Sequence, residues 1–114
     1  MPITPEIQAL VNRLNQKLNQ TDREATEGLN IVRPLLSRFP ENDRLNQFFA
    51  YFSSVLFFVE TSRTRRIQNI VESISDADVT EAEIQEAGED LSSLLGRVLE
   101  VKIEVRLIIT RLEK

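Results

Sequence analysis

The chain has 114 residues and a net charge of −4, with no cysteine, no histidine, no tryptophan and three glycines. That inventory excludes disulfide frameworks and thiolate chemistry, and it removes the commonest general base and metal ligand. It also leaves too little glycine for a phosphate-cradling loop.

One domain spanning residues 1–114 is expected from the length, large enough to bury a core without staples. The charge is uneven. Residues 1–75 hold nine bases and eight acids, residues 76–90 hold seven acids and no base, and residues 91–114 hold five bases and three acids. The chain is therefore not a general nucleic-acid binder. The start, Met1-Pro2-Ile3-Thr4-Pro5-Glu6, lacks the basic and apolar regions of a signal peptide. Phe48–Val59, interrupted by Ser53 and Ser54, is well short of a membrane span. A cytoplasmic protein with no membrane partner is expected.

In chain order, Thr4 as N-cap and Pro5 at the first helical position open helix 1. Ile7, Leu10, Val11, Leu14 and Leu18 form its stripe. Asn19-Gln20-Thr21-Asp22 reads as a break, with a capping box from Thr21 to Glu24. Against it, Val11, Leu18, Ala25, Val32 and Phe39 keep a seven-residue phase, which favours one helix over 5–38. Pro34 should kink that helix, since it lacks a donor and crowds the Asn30 carbonyl. Phe39-Pro40 then ends it.

Helix 2 is expected from Glu41 to Ser75. Its stripe is Leu45, Phe48, Phe49, Phe52, Val55, Leu56 and Val59, continued by Ile67, Ile70, Val71 and Ile74. Thr80 and Glu83 form a second capping box, which starts helix 3, expected over 81–111. There Ile84, Ala87, Leu91, Leu94, Val98, Val101, Val105, Ile108 and Leu112 alternate in steps of three and four, the seam of a helix packed lengthwise on another. Val101–Leu107 also alternates like a strand, but no comparable strand exists to pair with it. The expected fold is all-α: a long antiparallel helical bundle with coiled-coil-like packing, of three helices, or four if the first breaks near Asn19–Asp22.

Two clusters are candidate functional sites. The aromatic block carries more large side chains than one helix face needs. Either helix 2 is buried on two sides, or Tyr51, Phe57 and Phe58 form a protein interface, with Leu99, Ile103 and Leu107 as the matching face on helix 3. A second copy, most simply in a two-fold dimer, would complete the bundle. The second cluster is Arg63, Arg65 and Arg66. In a hairpin of helices 2 and 3, positions whose numbers total about 155 face each other. Arg66 then meets Glu89, and Arg63 meets Asp90 or Ser92, as an internal salt-bridge layer. Phosphate contact is the alternative.

The acids of 76–90 suit a helix N-terminus, and they lack the glycine and late glutamate of a calcium loop. No cofactor and no metal site is expected, and the serines lack a histidine to activate them. The residues therefore point to a non-enzymatic scaffold or adaptor that self-associates or binds a partner protein by helix-to-helix contact. A nucleic-acid-associated regulator using the arginines, or a small-molecule sensor with an aromatic pocket, are the alternatives.

Overall fold

The computed structural model describes residues 3–113. Helix α1 runs Pro5–Arg38, α2 Asp43–Thr61, α3 Ile67–Ser73 and α4 Glu81–Leu112. A π-helical turn, Ser62–Arg66, joins α2 to α3 without a loop, so the chain makes three helical rods and, among the described residues, no strand. The bundle is all-α, 59 × 20 × 16 Å.

The caps follow the sequence. Thr4 accepts from the Ile7 N–H, with Pro5 at the head of α1. Asn42 caps α2 by accepting from the Leu45 N–H. At α4 both arms of the Thr80–Glu83 box form: the Glu83 N–H donates to Thr80 Oγ1 (3.1 Å) and the Thr80 N–H to Glu83 Oε1 (2.9 Å). That donation holds the Glu83 carboxyl below its usual range.

Helix α1 passes unbroken through Asn19–Asp22. Thr21 caps nothing: it is fully buried and its Oγ1 donates back to the Lys17 carbonyl at 2.8 Å. The seven-residue phase prevails over the local capping signal because Thr21 falls on the seam Ile7, Leu14, Thr21, Gly28, beside the series Leu18, Ala25, Val32. The helix also continues past Pro34 to Arg38. Phe39, last of that seven-residue series, lies beyond the helix and is 52% exposed.

The three rods are antiparallel in sequence order, so α1 and α4 run parallel. Gly88 approaches Ile7 at the start of the pair, and Lys102 and Arg106 reach Glu24 further along. Contacts run densely along α1 with both α2 and α4, and more sparsely between α2 and α4. Helix α1, not the aromatic-rich α2, is therefore the rod flanked on both sides. The tightest point is Gly28. A Cβ there would meet the Phe52 ring at 2.5–2.7 Å, and Phe52 is fully buried.

The α2–α3 rod departs most from the expected register. Its buried residues are Phe52, Val55, Val59, Ser62 and Ile67, followed by Ile74. The steps are three, four, three and then five. The Ile67 N–H donates to the Ser62 carbonyl across the turn. This wider turn takes in one surplus residue and lets the seam resume at Ile67. Arg63 and Arg66 stand at seam positions in an uninterrupted helix, and here they do not. Arg63 turns to α1, where Nη2 donates to Asn19 Oδ1 at 2.9 Å and lies 3.8 Å from Asp22; Nη1 is 3.9 Å from Glu60. Among the described residues the expected layer, Arg66 with Glu89 and Arg63 with Asp90 or Ser92, does not form.

Deleting Arg65 should turn the five-residue step into an ordinary four and leave the thermal midpoint within about 5 °C. Deleting Ala50, within regular α2, should rotate everything after it off the seam and lower the midpoint far more. Equal damage from both deletions, read by circular dichroism, would contradict this register. Gly28→Ala should cost about 1–3 kcal/mol by overpacking against Phe52. Gly96→Ala, where a Cβ meets nothing of its own chain within 4 Å, should add about 1 kcal/mol of helix propensity to the single chain, measured at high dilution. Chemical denaturation separates the two signs.

Candidate interaction face

The seam of α4 is occupied: Ala87, Leu91, Leu94, Val98 and Val105 are buried. Burial also reaches Leu95 and Ile109, one residue beyond it. Leu99, Ile103 and Leu107 repeat every four residues on a neighbouring arc that the bundle covers only in part. Leu99 is half-buried, Ile103 is 63% exposed and Leu107 56%. They line an open groove beside α1 together with Lys17, Lys102 and Arg106.

Two of the three cations of this groove, Lys102 and Arg106, are held from below. Glu24 on α1 takes Lys102 Nζ at 3.4 Å and Arg106 Nη2 at 3.0 Å, and Glu27 lies 3.6 Å from Arg106. The hydrogen bond to Glu24 raises the Arg106 guanidinium further above its usual value. Lys17 enters no ion pair among the described residues. The site is thus an apolar ridge beside fixed cationic heads, with the aliphatic stems of Lys102 and Arg106 extending its apolar surface.

The other interface candidates divide. Phe57 is 74% exposed on the back of α2, among exposed Ala50, Ser53 and Ser54, and outside the groove. Tyr51 and Phe58 are half-buried toward α4. The Arg97 guanidinium stands 5.9 Å from the Phe58 ring centre. The Tyr51 ring lies tilted on Phe52 at 6.0 Å, and its buried hydroxyl makes no well-formed hydrogen bond. Burial, and then the Glu104 carboxylate beside it, push that phenol well above its ordinary value. The pairings Tyr51–Glu104 and Phe58–Arg97 agree with the hairpin register read from the sequence. The structure therefore does not bring Tyr51, Phe57 and Phe58 onto one surface with Leu99, Ile103 and Leu107.

Among the arginines, Arg63 is tied to α1 as described. Arg65 and Arg66 are exposed and enter no ion pair among the described residues. Arg66 lines a shallow groove with Ile70, Asp90 and Arg97, so an acid shares that groove with the two guanidiniums. Among the described residues no group of three or more carboxylates is arranged to hold a metal, and no helix is long and apolar enough to cross a membrane.

Searches against protein-family models, curated proteins and solved structures found no match to this chain.

Proposed function

We propose that this protein is a non-enzymatic helical scaffold or adaptor that works by helix-to-helix contact through the Leu99–Ile103–Leu107 ridge of α4. The observation that carries the reading is the contiguity of that ridge. Single exposed hydrophobic residues are ordinary on protein surfaces, and Phe57 is one of them. Three large aliphatic residues on successive turns of one helix, beside basic side chains, are the composition of an interface core with a polar rim. The residue inventory supports the non-enzymatic half of the reading, because the chain has neither histidine nor cysteine.

The test is solution mass by light scattering over a hundredfold dilution, with Ile103→Glu/Leu107→Glu as the comparison. Wild type should associate. The double variant should be monomeric, with unchanged helix content and a midpoint within a few degrees, because both sites are exposed in the single chain. A monomeric wild type at every concentration, or a double variant that keeps the wild-type mass, contradicts the proposal.

A further inference from the structure

The edge of the α1–α4 pair that carries the ridge also carries a second depression. Ile7 and Leu10 of α1 and Ile84 and Gly88 of α4 form its apolar part, and Glu6 and Glu89 stand on its rim. Gly88 leaves it shallowly floored: the nearest side-chain atom to a Cβ built there is Ile7 Cδ1 at 3.6 Å. The two features are the same surface displaced by two heptads. Gly88 and Glu89 of the depression correspond to Lys102 and Ile103 of the ridge, and Ser93 to Leu107. One half is recessed and rimmed by acids. The other is raised and flanked by bases.

We propose, building on the docking role assigned above, that a second copy of this chain covers this edge in antiparallel orientation. A two-fold axis passes near Gly96, and the Ile103–Leu107 ridge of each copy seats in the Ile7–Leu10–Ile84–Gly88 depression of the other.

Charge selects this arrangement. A parallel pairing, or one in which ridge lies on ridge, sets Lys17, Lys102 and Arg106 against their own copies. Like charges directly opposed across an interface are unfavourable. Antiparallel pairing about the point midway between ridge and depression sets the basic flank of each copy over the acidic rim of the other, twice. It also opposes the dipoles of the two α4 helices. Gly96 occupies that midpoint. It is exposed, and nothing lies within 4 Å of where its Cβ would be, so the two helices can approach closely where they cross. The contact is isologous and closes on itself, burying both ridges at once. A standard interface takes about 800 Å² from each partner. That is roughly a tenth of the 7433 Å² exposed by one chain, which an edge of a 59 Å rod can supply.

The chain has no cysteine, so single labels can be placed on Ser92→Cys and Thr110→Cys, both exposed positions; Ser92 borders the depression, so each labelled chain must first keep the wild-type mass. Once light scattering shows a dimer, spin-label distances between copies give its geometry. With the axis at Gly96, the helical rise puts the Ser92 labels about 15 Å apart and the Thr110 labels about 40 Å apart. A ridge-on-ridge dimer centred at Ile103 reverses that order, to about 35 Å and about 25 Å. A parallel dimer gives two short distances. Either of the latter patterns overturns this inference while leaving the docking role standing. A chain that remains monomeric overturns both.

Discussion

A guanidinium cannot occupy an apolar seam without a partner, because an unpaired charge taken out of water costs far more than one helical hydrogen bond. An unbroken helix from Asp43 to Ser73 would place Arg66 on the seam that begins with Phe52, Val55, Val59 and Ser62, and Arg63 on the adjoining series of Phe49 and Leu56. The chain instead makes one five-residue step, from Ser62 to Ile67. The step takes in the surplus residue and returns Ile67 and Ile74 to the core. It leaves Arg65 and Arg66 in solvent and turns Arg63 onto Asn19 and Asp22 of α1. Ser62, with a fully buried hydroxyl lacking a hydrogen-bond partner among the described residues, marks the local cost of the adjustment.

The rest of the bundle is arranged around α1. Gly28 admits the Phe52 ring on one side of it, and Glu24 gathers Lys102 and Arg106 on the other. Because α1 supplies most of the contact made by both α2 and α4, the outer arc of α4 is covered by its own chain only at its edge, where Leu99 packs partly against the core. Leu99, Ile103 and Leu107 lie on that arc. The proposed docking role thus follows from an asymmetry of packing: one helix of a three-rod bundle is apolar over a wider arc than two neighbours can cover.

Much of this architecture was legible in the residues. The three-and-four spacing from Ile84 to Leu112, the Thr80–Glu83 box and the Thr4-Pro5 start are local signals that nothing in the fold opposes. The seven-residue phase through Thr21 outweighed a capping motif, because burial of a whole seam exceeds one cap. The π-helical turn was not anticipated, although two arginines at seam positions and the five-residue step from Ser62 to Ile67 were its signature. Tyr51, Phe57 and Phe58 do not share one exposed face, for a simpler reason. Adjacent helical residues point about 100° apart, so Phe58 turns toward Arg97 while Phe57 faces solvent. Which side of α4 would stay uncovered depended on where α1 packs, and that is a tertiary fact.

The five-residue step is open to direct observation. Scalar coupling across hydrogen bonds, measured by NMR on isotopically labelled protein, identifies the carbonyl that accepts from each amide. The Ile67 N–H should correlate with the Ser62 carbonyl. A correlation to the Arg63 carbonyl would mean an ordinary α-helix through the arginines, and would contradict the register on which this account of the fold rests.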